Sequence, residues 1–315
     1  MKHLSLIAAL PLALAAPLAA QEAEPVTPVS IVGASAPEEW VEIAPEDILI
    51  MRLADDGSDR PRDVVIQLMP PPFSQPWVEN IRTLARTHWW DGTSAYRVVD
   101  NWVTQWGDVS EEKALPEGVV SPVAPYDASN GGLTGPHSAT FVQEIPNLAL
   151  RSDAYATGAG FLAGWPMASG LNRRWPVHCY GHVGVARDLE TTGTGSELYA
   201  VIGHAPRQLD RNIAVVGRVI DGMEHLSTLK RGTGEAGVYE SRDEDTPIEW
   251  ARLASDEEES EHWRYEYLDT DSESFAAYVT SRANRNDDFY TMPAGGVDIC
   301  NVQVPIRWID PAGKG

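Results

Sequence analysis

Residues 90–108 read WDGTSAYRVVDNWVTQWGD, and this stretch decides the fold. It contains two strand-like segments, 95–99 and 102–105, in which β-branched and aromatic residues predominate. An Asp-Gly-Thr tripeptide, residues 91–93, precedes the first of them. The stretch therefore indicates a β-rich domain, and the segments on either side show how that domain continues.

Further strand and helix patterns flank this stretch. Upstream, we expect strands at Ile48–Leu53 and 63–69 and an amphipathic helix at Gln75–Arg86, with Ser74 as its N-cap. Downstream, strands are predicted at 180–187, 197–203, 213–219 and 297–309, and helices at 221–229 and after Ser272. Several strands without a repeated βαβ unit favour an antiparallel barrel or sandwich with helical caps.

The chain is strongly acidic. Its 315 residues include 24 Lys and Arg against 46 Asp and Glu, which gives a formal net charge of −22. Such a surface repels nucleic-acid phosphates and anionic lipid headgroups, so we expect neither as a partner. Residues 256–274 hold nine of the acids, and we interpret this segment as a solvated surface.

The first twenty residues have the pattern of a secretory signal peptide. Lys2 is followed by an apolar run rich in Ala and Leu, which ends in small residues before Gln21. The run is too short for a stable membrane span, so no membrane insertion is expected after cleavage. We predict export across the inner membrane to the periplasm, a flexible leader at 21–38, and a monomer.

Five short motifs, in order along the chain, resemble the cyclophilin family. The family patterns are Pro-x-x-Val-x-Asn-Phe, then aromatic-Asp-Gly-Thr-x-Phe-His-Arg-Val with Phe-Met-x-Gln-Gly-Gly-Asp, then Leu-Ser-Met-Ala-Asn, Gly-Ser-Gln-Phe-Phe, and Leu-Asp with Val-Phe-Gly-Lys-Val-x-x-Gly-Met. The corresponding segments here are 76–81, 90–108, 184–187, 195–199 and 209–223. Because the motifs keep the family order, the resemblance covers roughly 45–108 and 180–232, with the final strand near 297–309.

The resemblance implies a mainly β fold, an eight-stranded antiparallel barrel with two capping helices, and peptidyl-prolyl cis–trans isomerase activity. We expect one domain over 39–315, with a loop-rich insertion at 109–176 and an acidic, partly helical insertion at 233–296 before the last strand. Its partners would be Pro-containing polypeptides. Isomerisation needs neither a metal nor a cofactor, and none is expected.

The resemblance also assigns roles to residues of a surface groove. Arg97 would donate to the imide nitrogen as the peptide bond twists, and Gln105 would bind the substrate backbone. Trp102, Val103, Tyr199 and Leu209 would form the proline pocket, Ala186 would lie in the groove floor, and the Arg187 backbone would pair with the peptide.

Several positions depart from the family pattern. They are Ala95-Tyr96 for Phe-His, Val103 for Met, Trp106 for Gly, Glu197 for Gln, and Gln208 and Ile213 for Trp and His. The altered rim and the large insertion motivate an alternative function, a binding module or chaperone for Pro-containing segments with little turnover.

The two cysteines, Cys179 and Cys300, each lie in a strand-like segment. In an oxidising compartment they would form one disulfide between the C-terminal strand and the middle of the chain, and two buried free thiols are the alternative.

Motifs of other enzyme classes do not account for the chain. His178 and His182 are of a residue type that binds zinc, and a helix would place both on one face. Their segment is predicted as strand and turn, so this argument for a zinc site fails. The glycines at 158–164 do not follow a strand and open a helix, so they do not indicate dinucleotide binding. No Gly-x-Ser-x-Gly elbow is present to indicate a hydrolase.

Overall fold

A computed structural model describes residues 26–58, 60–129, 153–258 and 260–310. The predicted signal peptide and the start of the leader lie outside these residues. Within the described part of the chain, no helix has both the length and the apolarity that crossing a membrane requires.

The described residues form four α-helices and fifteen strands. The helices are α1 Pro28–Gly33, α2 Gln75–Arg86, α3 Met223–Ser227 and α4 Glu273–Ala283. The strands are β1 Trp40–Glu42, β2 Ile48–Leu53, β3 Arg62–Leu68, β4 Ser94–Val99, β5 Val103–Gly107, β6 Ala128–Ser129, β7 Gly158–Leu162, β8 Trp165–Gly170, β9 Arg173–Pro176, β10 His182–Val185, β11 Leu198–Val201, β12 Val215–Asp221, β13 Thr246–Leu253, β14 Tyr265–Leu268 and β15 Ile306–Trp308.

Eight of these strands close into an antiparallel barrel, in the order β10-β11-β5-β4-β13-β2-β3-β12. Side chains on a strand alternate between the two faces of the sheet, so every second residue points into the barrel. Leu198 and Ala200 accordingly belong to the barrel core, whereas Tyr199 and Val201 belong to a separate apolar cluster on the outer face. The predicted barrel is confirmed, and its outer face carries the candidate site.

Helix α2 covers the barrel core with one apolar face. Trp77, Val78, Ile81 and Leu84 recur at helical spacing and are fully buried, as the periodicity of the sequence predicted. Ser74 is the N-cap residue of α2, as predicted, but its backbone is left-handed and its side chain accepts from no helical N–H.

The strand that closes the barrel is β13, which corrects the predicted domain boundaries. It pairs with β2 and β4 and lies within residues 233–296, which the sequence predicts as an insertion before a last strand at 297–309. That C-terminal segment forms a short 3-10 helix at Ile299–Asn301 and only three residues of strand, β15, outside the barrel. The predicted helix at 221–229 is likewise shortened to α3.

The N-terminal and C-terminal parts of the chain pack together beside the barrel. Strands β1, β14 and β15 form a three-stranded sheet, and α1 packs on α4. Ser272 caps α4 by accepting from the Phe275 N–H, and Phe275 and Val279 are fully buried in this second core, as predicted. The expectation of a flexible leader at 21–38 is therefore wrong for 28–33, because Ile31 and Val32 pack against that core.

The insertion at 109–176 contains a four-stranded sheet, β6-β9-β8-β7, where a loop-rich segment was expected. Phe161 of β7 packs edge-on against Phe275, with ring centroids 4.9 Å apart, so the insertion shares the second core. Just beyond β9, Cys179 and Cys300 form a disulfide. The insertion and the C-terminal segment are thus joined to each other next to the outer face of the barrel.

Candidate active site

Arg97 and Gln105 lie opposite each other on β4 and β5. Arg97 Nη1 donates to Gln105 Oε1 at 3.0 Å, and Arg97 Nε donates to the backbone carbonyl of Ala236 at 2.8 Å. The guanidinium also lies over the ring of Trp102, 5.6 Å from its centroid. Two of the five N–H donors of a guanidinium serve these bonds. Its plane is therefore held in place while other donors are left for a substrate.

The carbonyl that holds Arg97 comes from residues 233–296, which the sequence predicts as an insertion. Residues 232–239 run along β4, where Gly232 N donates to Val98 O at 2.8 Å and Tyr239 N donates to Tyr96 O at 3.0 Å. Gly237 is required in this segment, because it has a positive φ of 80° and a Cβ there would press on Val99. No motif in the sequence marked this contact.

The residues predicted for the proline pocket meet in one cluster. Val103 and Tyr199 are at its buried centre together with Val201, and the half-buried side chains packed on them include Trp102, Ala186 and Leu209. Gly184 makes room for the Tyr199 ring, since a Cβ at this position would overlap the phenol. Gly184 belongs to the site for that reason, although no sequence motif predicts a role for it.

Beside this cluster, a surface cavity of about 380 Å³ extends along the groove. Its lining includes Tyr96, Gln105, Ala186, Arg187 and Glu197. The exposed Arg187 side chain donates to the carbonyl oxygens of Asp188 and Asn212, so it borders the groove rather than entering the apolar cluster. The structure thus brings together all the residues predicted for the groove.

A buried hydrogen-bonded network supports the floor of the apolar cluster. Tyr199 Oη lies 3.0 Å from His178 Nε2, and His178 Nδ1 lies 3.0 Å from Asp210 Oδ1. Arg207 Nε donates to Asp210 Oδ2 at 2.6 Å, and Arg207 Nη2 donates to Asp153 of the insertion at 2.7 Å. His178 is fully buried, and its role here is to bind Tyr199 and Asp210. We call this set of residues the pocket network.

A second network supports Gln105 from the opposite side. Gln105 Nε2 donates to Tyr96 Oη, the Tyr96 hydroxyl donates to Glu197 Oε2 at 2.7 Å, and the Asp108 N–H donates to Glu197 Oε1 at 2.6 Å. Burial raises the pKa of Glu197 to about 7 and raises that of Tyr96 as well. Burial also lowers the pKa of Arg97 from its very high ordinary value. We call Arg97, Gln105, Tyr96 and Glu197 the groove network.

Metal ligation has no support in the described residues, which contain no group of three or more His, Cys, Asp and Glu placed to hold an ion. His182 Nδ1 accepts from the Cys179 N–H at 3.1 Å, while His178 is bound within the pocket network. The groove thus presents a restrained cation, Arg97, beside an apolar cluster.

The described residues thus define a class of fold, an eight-stranded antiparallel barrel with a groove on its outer face. The family described as cyclophilin type peptidyl-prolyl cis-trans isomerase/CLD matches residues 63–252. The chain belongs to this family. The matched range ends at the strand β13 that closes the barrel, in agreement with the corrected boundaries.

Among solved structures, the chain is similar to cyclophilin AquaCyp293 from Hirschia baltica, with a TM-score of 0.62 and 19% identity over 85% of this chain and 92% of that one. A cyclophilin type isomerase from Cryptosporidium parvum, determined in the presence of the dipeptide Ala-Pro, aligns with a TM-score of 0.37 and 12% identity over 65% and 98% of the two chains. Comparison with curated protein sequences gave no significant match.

Proposed function

We propose that this chain catalyses cis–trans isomerisation of X–Pro bonds in exported polypeptides, with Arg97 as the catalytic residue. The observation that carries the proposal is the position of Arg97. Its guanidinium is restrained by Gln105 and by the Ala236 carbonyl, and it stands beside the outer apolar cluster.

The chemistry requires no covalent step. Amide resonance opposes rotation about the X–Pro bond with a barrier of about 18–20 kcal/mol. As the bond twists, the lone pair of the imide nitrogen becomes localised and accepts a hydrogen bond that the planar imide accepts poorly. A donor at that nitrogen therefore stabilises the transition state more than the ground state, which is the condition for catalysis. Arg97 is suited to this role because a guanidinium stays protonated and presents its donors in a rigid fork.

The apolar cluster and Gln105 would hold the substrate while the bond rotates. We propose that the proline ring packs between Val103, Tyr199 and Leu209, where contact with water is lost. Gln105 would bind the peptide backbone, and the Arg187 backbone would pair with the peptide at the edge of the groove. A fixed ring and a fixed backbone leave the X–Pro bond as the torsion that changes.

We also propose that the protein is exported to the periplasm and acts there as a monomer on Pro-containing clients. The signal-like pattern of residues 1–20 supports export, as does the disulfide between Cys179 and Cys300, because such bonds persist mainly in oxidising compartments. N-terminal sequencing of protein recovered from a periplasmic fraction should begin at Gln21. Recovery of an uncleaved chain in the cytosol would contradict export.

The test of the catalytic role is protease-free NMR exchange on an Ala-Pro peptide. Removing one transition-state donor costs about 10²- to 10³-fold in rate, and we expect a loss of this size in kcat/KM for Arg97→Ala. Arg52→Ala is the matched control, since Arg52 also projects from a barrel strand over a Trp ring, Trp250 at 5.0 Å, but on β2 away from the groove. It should keep wild-type activity.

A binding module or chaperone is the second candidate, favoured by the altered rim of the groove. In that case, folded wild-type protein would bind the peptide without accelerating its isomerisation, and Arg97→Ala would change affinity alone. Fast wild-type exchange that persists in Arg97→Ala would contradict the assignment of Arg97.

A further inference from the structure

We infer that Tyr96 and Glu197 are positioning residues for this reaction, which orient Arg97 through the side-chain amide of Gln105. The inference rests on the proposed function of Arg97. It concerns two positions at which this chain departs from the family pattern, and neither residue needs to touch the substrate.

The direction of each hydrogen bond in the groove network follows from the donors and acceptors available. Arg97 can only donate, so Gln105 must turn its carbonyl oxygen towards Arg97 and its amide nitrogen towards Tyr96. The Tyr96 oxygen therefore accepts from Gln105. Its own proton then points to Glu197 Oε2, 2.7 Å away, which accepts it as a carboxylate.

The Glu197 carboxylate is itself held by the backbone. The Asp108 N–H donates to Oε1, the oxygen that Tyr96 does not use. Gly107, immediately before Asp108, has a positive φ of 149°, and a Cβ there would collide with the Glu197 carboxylate. A glycine at this position thus lets the end of β5 approach Glu197 closely, and the backbone there holds the Glu197 carboxylate in place.

Several charged groups surround Glu197. From β4, Tyr96 donates to it, and Arg97 lies further along the network. From the segment after β5, Asp108 and Glu111 raise its pKa by repulsion, in addition to the larger effect of burial that brings it to about 7. Lys113 from that segment, and Arg187 and Asp188 from the segment after β10, line the same cavity.

Protonation of Glu197 would break the network. A neutral carboxyl group carries its proton on one of its two oxygens, and each oxygen faces a donor here, Oε2 the Tyr96 hydroxyl and Oε1 the Asp108 N–H, so protonation weakens or breaks one of the two bonds. The ordered arrangement is therefore complete only when Glu197 is ionised. Because the ionised form predominates above a pKa of about 7, catalysis should rise with pH through neutrality.

The experiment is the pH dependence of kcat and KM between pH 5.5 and 8.5, measured by NMR exchange on an Ala-Pro peptide. We expect wild-type kcat to rise about tenfold with a midpoint near pH 7, the size of one charge-assisted hydrogen bond. Glu197→Gln and Tyr96→Phe should both give a low, flat kcat with little change in KM.

Glu111→Gln is the matched control, because Glu111 lines the same cavity and acts on Glu197 by repulsion alone. This variant should keep the full rise in kcat and move its midpoint to lower pH. Since a defect in folding would not move a midpoint, this readout separates positioning from stability.

Two outcomes would overturn the inference, and they differ. If Glu197→Gln keeps the wild-type midpoint while Arg97→Ala is inactive, the proposed function stands and the positioning role fails. If the wild-type protein accelerates isomerisation at no pH, the proposed function fails and the positioning role fails with it.

Discussion

The groove network and the pocket network use similar residues in different surroundings. Each contains a carboxylate that is hydrogen-bonded, directly or through one residue, to a tyrosine: Glu197 to Tyr96 in the first, Asp210 through His178 to Tyr199 in the second. The difference lies in the charge opposite the carboxylate. Asp210 is paired with Arg207 at 2.6 Å, whereas both direct donors to Glu197 in the described structure, Tyr96 and the Asp108 N–H, are neutral.

This difference separates a carboxylate that is paired with a cation from one whose direct donors are neutral. A buried carboxylate that faces a guanidinium is compensated, and removal of one partner leaves an uncompensated charge in the interior. A buried carboxylate with only neutral donors stays costly to ionise, which is why burial raises the pKa of Glu197 to about 7. The pocket network is thus expected to stabilise the fold, and the groove network to respond to pH.

The largest expected effect is on the pocket network. Asp210→Asn keeps the shape of the side chain but removes the charge opposite Arg207, which among the described residues then keeps Asp153 as its ion-pair partner. We expect the free energy of unfolding to fall by about 3–5 kcal/mol at every pH between 6 and 8. Urea unfolding at several pH values measures this loss. An unchanged midpoint would show that Asp210 does not stabilise the fold.

Glu197→Gln should raise the free energy of unfolding, whereas Asp210→Asn should lower it. The folded protein holds on Glu197 a proton that the unfolded chain releases near the ordinary pKa of 4.5, so stability falls as pH rises from 4.5 to about 7 and stays lowered above it. Glu197→Gln has no carboxyl group to ionise at this position, so it does not lose stability in this pH range. Its free energy of unfolding should exceed that of wild type by up to about 3 kcal/mol at pH 8, and the gain should shrink towards pH 5.5.

A gain that is equal at pH 5.5 and pH 8 would contradict the raised pKa of Glu197. If the gain is confirmed together with the loss of kcat, the chain retains a destabilising group because the ionised form serves the reaction. Such exchanges of stability for activity are common at functional sites.

The sequence predicted the parts of the site whose residues lie close together along the chain. Arg97 and Gln105 fall within one short motif, and α2 shows its periodicity over a single segment, so no knowledge of distant contacts was needed. The barrel strand β13 was missed because it is half-exposed and begins with Thr246-Pro247, a pattern typical of a loop. Residues 297–309 resembled a strand, but the Asp298 side chain accepts from Cys300 N and starts a 3-10 helix instead.

The networks could not be predicted in the same way. The pocket network joins Asp153, His178, Tyr199 and Arg207-x-x-Asp210, which come from separate segments of the chain. From the sequence, His178 could therefore be identified only as a residue type that binds metals. Its actual role depends on tertiary contacts that the sequence does not reveal. Glu197 was visible as a departure from a family motif, but its partner Tyr96 lies 101 positions away in sequence.

The smallest expected effect comes from replacing a tyrosine by phenylalanine, a substitution that can be made once in each network. Tyr199→Phe leaves the aromatic floor of the apolar cluster in place but leaves fully buried His178 Nε2 without a partner. An unsatisfied buried group costs about 1–3 kcal/mol, so we expect thermal unfolding to shift while kcat and its pH midpoint stay close to wild type. Tyr96→Phe should instead lower kcat and flatten its pH dependence, because it interrupts the path from Glu197 to Gln105. If both variants lose kcat and stability in the same proportion, the two networks act as one, and the distinction between a supporting and an orienting network fails.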